Sequence, residues 1–238
     1  MPEAPTDPAA IAERAERVRE RIAEAAARAG RDAADVTLVA VTKTWPLETV
    51  RAAVAAGLRD LGENRVQELT EKAEALPGEA AGGPVRWHLV GSLQRNKARD
   101  AAAHADLFHA LDSVRLADAL EKRAAEAGRA LPVLVQVNIS GEGAKHGVAP
   151  EAAHDLLAYA AERPHLRPVG LMGMAAIAED ARDLERLVRP AFRRLCGLFE
   201  AAPLDLSVLS MGMSGDFETA VEEGATHVRL GTALFGPR

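Results

Sequence analysis

Cysteine is almost absent: Cys196 stands alone in 238 residues. It lies in a helical stretch, which excludes a disulfide framework or a cysteine metal cluster within the chain and makes the cytoplasm the expected compartment. Apolar runs are short as well. None approaches the roughly 20 residues of a membrane span, and the N-terminus has no apolar signal core, so neither a transmembrane segment nor a secretory leader is expected. Positive charge is in deficit, with 29 basic against 35 acidic side chains and a formal charge of -6. That balance leaves no electrostatic footprint for nucleic acid or an anionic membrane and favours a small-molecule partner. HExxH, Walker-type and GxSxG motifs are missing, which removes support for metalloprotease, P-loop and hydrolase chemistry. No metal site is expected.

What the chain does have is a rhythm. A hydrophobic content of 48% is enough to build one large α/β barrel or two modest domains. Asp7 to Ala29 carries alanine, arginine and glutamate at helical spacing, and Gly30 is a natural stop. Short β-rich runs follow near 36–42, 58–62, 86–91, 106–111, 132–138, 168–173, 206–210 and 227–230. Longer amphipathic stretches at 46–56, 64–76, 94–104, 114–128, 150–163, 180–201 and 215–223 separate them. Eight parallel strands alternating with helices predict a closed (β/α)8 TIM barrel, whereas a doubly wound sheet stops at about five to seven strands. The barrel is read as a single domain over 1–238 with an extra N-terminal helix. The Pro- and Gly-rich stretch 77–84 fits one surface loop.

Barrel chemistry sits where the strands end. Lys43 closes the run Val36-Thr37-Leu38-Val39-Ala40-Val41-Thr42, and Thr44-Trp45-Pro46 stops the strand. An amine on the rim of a buried sheet can be desolvated, which favours the neutral, nucleophilic form and makes Lys43 a candidate Schiff-base lysine. On position alone, a solvated strand-end lysine is the plainer reading. Other strand ends deliver Gly62-Glu63-Asn64, His88 with Gly91-Ser92, Asn138 and Met172-Gly173-Met174. The last two strands deliver Ser210-Met211-Gly212-Met213-Ser214-Gly215-Asp216 and Arg229-Leu230-Gly231-Thr232. Phosphate sites in such barrels lie after strands seven and eight, at backbone N–H groups beside small residues and hydroxyls. Met213-Ser214-Gly215 is expected to open a helix there, with Gly231-Thr232 as the other half of a cup, although caps and turns use the same residues. His88 reads as a satisfied core histidine more readily than as a catalyst. Gly141 to Gly147 reads as a rim loop, and the methionines as core packing.

These segments resemble a known family. Val41-Thr42-Lys43-Thr44, Leu61 to Glu68, His88 to Lys97, Val137-Asn138-Ile139, Gly170-Leu171-Met172, Leu209 to Asp216 and Val228 to Gly236 are similar, in order, to those of the pyridoxal-phosphate homeostasis proteins. The resemblance spans nearly all of the chain after the first helix. It implies an alanine-racemase-like barrel without the extra β domain, with pyridoxal 5'-phosphate held as a Schiff base on Lys43. Arg229 is implied at the pyridine nitrogen, Ser214, Gly231 and Thr232 around the phosphate, Asn64 near the ring, and Ser210 and Met211 close by. Lys145 matches a rim lysine of the family, and a solvated loop lysine is the plainer reading of it. Two positions depart from the pattern: Trp45 stands where many relatives carry a second lysine, and Ser92 replaces a proline. The implied role is buffering or delivery of the cofactor, with pyridoxal-phosphate-dependent apoenzymes as recipients, a monomeric state and no defined turnover reaction. An amino-acid racemase on the same cofactor, a cofactor-free Schiff-base aldolase and a scaffold with a vestigial site are the rivals. The racemase needs a second base opposite the lysine, yet the single tyrosine, Tyr159, falls in a helix expected on the outer face.

Overall fold

The computed structural model describes residues 4–76, 79–80, 83–141 and 146–237. In chain order it contains α1 (Pro8–Arg28), β1 (Thr37–Val41), α2 (Leu47–Ala55), β2 (Asp60–Glu63), α3 (Val66–Ala75), β3 (Arg86–Leu89), α4 (Ala98–His104) and β4 (Leu107–Leu111). Then follow α5 (Val114–Glu126), β5 (Leu131–Val137), α6 (Ala153–Ala161), β6 (Leu166–Gly173), α7 (Arg189–Glu200), β7 (Val208–Ser210), α8 (Phe217–Glu222), β8 (His227–Leu230) and α9 (Thr232–Phe235). The eight strands close into one parallel barrel in the order β1-β8-β7-β6-β5-β4-β3-β2. At the closing seam Thr37 lies opposite His227, Val39 opposite Arg229 and Ala40 opposite Leu230. Lys43 and Arg229, far apart in sequence, are thereby set on neighbouring strands.

The eighth outer helix, α9, is only four residues long, and α1 makes good the deficit. Asp7 caps α1 by accepting the Ala9 N–H at 3.0 Å, and Pro8 occupies the first turn, where its missing N–H costs nothing. Ile11, Ala15, Val18, Ile22, Ala25 and Ala26 form a buried stripe at three- and four-residue spacing. That stripe packs against α2, α8 and α9. Arg14 donates to the Leu234 carbonyl, and Arg21 grips both oxygens of Glu218 on α8 at 2.9 and 3.0 Å.

Several boundaries differ from the sequence reading for local reasons. The stretch 180–201 is not one helix: Ala181–Asp183 leads into a π turn, Leu184–Val188, before α7. Pro190 lies in the first turn of α7, has no N–H to give and crowds the carbonyl four residues back, which suits a widened turn at that point. The helix expected from 215 begins only at Phe217. Inside the expected loop 77–84, Glu79–Ala80 and Gly83–Pro84 pair as a two-residue hairpin. Residues 77, 78, 81 and 82, and Lys145 with 142–144, lie outside the described residues. Among those described, no helix is long and apolar enough to cross a membrane.

The barrel has two interiors of different chemistry. Between strands and helices the packing is apolar, with Leu61, Phe108, Phe192 and Phe217 fully buried. Inside the strand ring, Asp60, His88, His109, Ser210 and Arg229 are all buried. Branched apolar residues dominate that space in most such barrels.

Candidate functional site

A cavity of about 470 Å³ opens at the C-terminal mouth, bordered among others by Lys43, Asn64, Gln136, Ser214, Arg229 and Thr232. Lys43 reaches it from a tight turn. The Thr42 N–H carries the strand ladder one residue further by donating to Gly62, and the Trp45 N–H turns back to the Thr42 carbonyl at 3.1 Å. Thr44 takes a positive φ of 65°, uncommon for a β-branched residue. Its N–H is held by Glu68 Oε2 at 2.7 Å. Trp45 is buried in the core and serves as an apolar anchor for the turn.

A buried charge cluster underlies this turn. Lys72 of α3 donates to the Thr42 carbonyl at 2.9 Å and to Glu63 Oε1 at 2.7 Å, with Glu68 at 3.5 Å. Thr42 Oγ1 donates to the same Glu63 oxygen at 2.6 Å. Burial pushes the Glu63 carboxyl above its ordinary pKa, and the Lys72 ammonium only partly opposes that. Burial also acts upward on Glu68, but the Thr44 N–H and Lys72 outweigh it and hold that carboxyl below its usual range. Neither Glu63 nor Lys72 was singled out from sequence as a functional partner. The available signal was Glu68 lying four residues before Lys72 on one helix face.

Asn64 follows the end of β2 and is exposed at the cavity. Gly91 packs directly against it: a Cβ at 91 would come within 2.2 Å of the Asn64 carbonyl oxygen. Gln136 is buried in the wall, donates to the His146 carbonyl at 3.2 Å, and leaves its Oε1 without a partner among the described residues.

Two loops make the opposite wall. Gly212 has φ 93°, and a Cβ there would lie 2.6 Å from that of Ala220, so only glycine fits. Its carbonyl accepts the Arg229 N–H at 3.0 Å. Asp216 Oδ1 takes the Met213 N–H at 2.6 Å, and Ser214 Oγ takes the Ala233 N–H at 3.2 Å, tying the loop after β7 to the loop after β8. Among the described residues, no chain acceptor takes the N–H groups of Ser214, Gly215, Gly231 or Thr232. Because α8 and α9 are short, these individual donors, rather than a helix dipole, give the wall its character.

Arg229 closes the floor. Arg229 is 5% exposed, and its guanidinium donates to Ser210 Oγ at 2.7 Å and to the Gly173 carbonyl at 3.2 Å. Burial pulls its pKa down to about 10, with Asp216 acting in the opposite direction, so it remains a cation at neutral pH. Ser210 and Met211 do not border the cavity. Both are fully buried behind it, Ser210 against Arg229 and Met211 through its N–H to the His227 carbonyl at 3.1 Å. Tyr159 lies on α6, where its hydroxyl donates to Asp118 of α5 at 2.7 Å in the outer helical layer.

An amine, a buried guanidinium and a set of open N–H donors at the end of a closed parallel barrel form the kind of mouth that takes a small anionic ligand. The family model for the N-terminal domain of alanine racemase matches residues 13–238, and the chain belongs to that family. Full-length relatives narrow the placement. The chain is 43% identical over 230 residues to the pyridoxal phosphate homeostasis protein of Aquifex aeolicus, covering 95% of this chain and 97% of that one. It is 45% identical over 228 residues to the protein of the same name from Pseudomonas aeruginosa, with 96% of each covered. Among solved structures, PipY of Synechococcus elongatus with PLP bound superposes with a TM-score of 0.77 at 37% identity, covering 95% of this chain and 100% of that one. Alanine racemase from Corynebacterium glutamicum shares the fold at a TM-score of 0.69 and 20% identity, covering 98% of this chain and 62% of that one.

Proposed function

We propose that this protein binds pyridoxal 5'-phosphate at the C-terminal mouth, holds it covalently through Lys43 Nζ, and serves its homeostasis by buffering or delivering it, without a robust turnover reaction. The observation that carries this reading is the convergence of three chemistries on one cavity: the amine of Lys43, the guanidinium of Arg229 and the open N–H groups of the two loops. What the cofactor supplies when bound is an aldehyde carbon open to attack by a primary amine. Lys43 is that amine. Ser214, Gly231 and Thr232 take the phosphate through N–H donors and hydroxyls, and Asn64 flanks the ring. Ser210 and Met211 support the site from behind, Ser210 through its bond to Arg229.

Arg229 bears on catalysis. A carboxylate at the pyridine nitrogen would keep it protonated and make the ring a strong electron sink. A guanidinium is donor-only and leaves that nitrogen an unprotonated acceptor, so carbanion chemistry gains little. The outer-layer position of Tyr159 supplies no second base at the mouth, which favours a carrier over a racemase. The same reading takes the chain as a single-domain, cytoplasmic monomer with pyridoxal-phosphate-dependent apoenzymes as recipients. Borohydride reduction of the loaded protein followed by peptide mapping tests it. The fixed adduct is expected on Lys43 and lost in Lys43→Ala, which keeps the fold because the side chain sits on the rim. A stable adduct elsewhere, or amino-acid racemisation abolished by Lys43→Ala, would overturn it.

A further inference from the structure

The polar residues inside the strand ring form one continuous chain of hydrogen bonds. Arg229 Nη1 reaches Ser210 Oγ at 2.7 Å, Ser210 Oγ meets His109 Nδ1 at 3.0 Å, His109 Nε2 meets His88 Nδ1 at 3.0 Å, and His88 Nε2 meets Asp60 Oδ1 at 3.0 Å. The His109–Ser210 bond joins β4 to β7, which are separated in the ring by β5 and β6, so the chain crosses the barrel interior. It runs from the floor of the upper cavity to the opposite mouth, where Arg86 donates to both Asp60 oxygens at 2.6 Å.

Its two ends, with neutral imidazoles between them, fix its direction. A guanidinium only donates, and an ionised carboxylate only accepts. Burial alone would raise the Asp60 pKa, but hydrogen bonds from His88 and Arg86 together outweigh it and keep the carboxylate ionised. Each link between the ends then has one consistent sense. Arg229 donates to Ser210, the Ser210 hydroxyl donates to His109 Nδ1, His109 Nε2–H donates to His88 Nδ1, and His88 Nε2–H donates to Asp60. Both histidines are neutral Nε2–H tautomers in this arrangement. Burial, with the Arg229 cation adding to it, pushes His109 far below the ordinary histidine pKa, in keeping with a neutral ring.

We infer that Asp60, His88, His109 and Ser210 are positioning residues that hold the Arg229 guanidinium in a single orientation at the cavity floor. A free arginine side chain samples many rotamers. Here Ser210 and the Gly173 carbonyl occupy one N–H on each terminal nitrogen, and the imidazoles behind Ser210 set which lone pair of its oxygen faces Arg229. The orientation is therefore specified from about four residues deep, by groups that do not border the upper cavity. That the fixed guanidinium faces a pyridine nitrogen rests on the function proposed above; that it is fixed does not.

The test separates the two. In ligand-free protein at neutral pH, long-range 15N–1H NMR of the imidazoles is expected to show His88 and His109 as neutral Nε2–H tautomers, and the Arg229 side-chain N–H signals to exchange slowly with solvent. In His109→Leu, exchange at Arg229 is expected to accelerate at least tenfold, and Ser210→Ala should do the same while Ser210→Thr, which keeps the hydroxyl, restores protection. An Nδ1–H or cationic state at either wild-type histidine, or unchanged Arg229 exchange in a folded His109→Leu or Ser210→Ala, would overturn the inference. If the variants do not fold, the wild-type tautomers decide. With pyridoxal 5'-phosphate added, the visible band of the bound cofactor should shift in His109→Leu while borohydride still fixes it on Lys43. A band that stays in place while Arg229 exchange accelerates would refute Arg229 as the ring partner and leave the positioning chain standing.

Discussion

The two mouths of the barrel are built from the same eight strands and treat their polar groups in opposite ways. At the N-terminal mouth a cavity of about 360 Å³ is bordered by Asp60, Arg86, His88 and His227. There Arg86 and His88 converge on Asp60, and His227 Nδ1 lies 3.0 Å from Thr226 Oγ1. At the C-terminal mouth the N–H groups of Ser214, Gly215, Gly231 and Thr232 and the Gln136 oxygen have no partner among the described residues. Buried or enclosed polar groups are normally paired. The mouth whose Asp60, Arg86 and His88 pair with one another is built for structure, and the mouth that holds its loop N–H groups open is the one suited to a ligand.

The contrast breaks most directly if the open donors are not used. Pyridoxal lacking the phosphate is expected to bind more than 100-fold more weakly than pyridoxal 5'-phosphate, since each charge-assisted hydrogen bond lost costs about 1.5 to 3 kcal/mol. Calorimetric titration of both forms checks this, and equal affinities would remove the cup. Next in size is the buried cluster under Lys43. Lys72→Met strips the partner from a fully buried Glu63, and breaking such a pair from one side costs about 3 to 5 kcal/mol. Urea unfolding should show that loss, whereas an unchanged midpoint would mean that Glu63 is protonated and already neutral.

A smaller effect sharpens the picture of the paired mouth. Burial lowers the His227 pKa to about 4, against about 6.5 in an unfolded chain. The unfolded state therefore binds a proton that the native state refuses between those values, and stability falls as the pH drops through that window. His227 alone contributes about 3 kcal/mol of loss by pH 4. Unfolding free energies measured from pH 7 to pH 4 should fall accordingly, and His227→Gln should flatten the curve. A flat wild-type curve would place the histidine in contact with water.

The barrel and the open mouth were legible in sequence because both are written in contiguous segments. The β-branched run ending at Lys43, the glycine-serine loop after β7 and the Arg229-Leu230-Gly231-Thr232 end of β8 each carry their meaning locally. The paired interior was not. His109 sits in Leu107-Phe108-His109-Ala110-Leu111, which reads as an ordinary core strand, and its partners come from strands 21 and 101 residues away. Lys72 looks like a solvated helix lysine until α3 folds over the turn at Thr42. Ser214 was read as opening a helix, yet Gly215 and Asp216 continue the turn and α8 begins at Phe217, because Asp216 turns its carboxylate back onto the Met213 N–H.

The bond from the Ala233 N–H to Ser214 Oγ has a kinetic meaning. It staples two loops that belong to different βα units, so the spacing between them is set by the chain and not by whatever sits between them. A mouth with that spacing already fixed has little loop entropy to lose on capture and little to regain on release. In the function proposed above, exchange would then be governed by the covalent link at Lys43 and the anion contacts. If the protein buffers or delivers pyridoxal 5'-phosphate as proposed, loading and unloading would run over the same low conformational barrier.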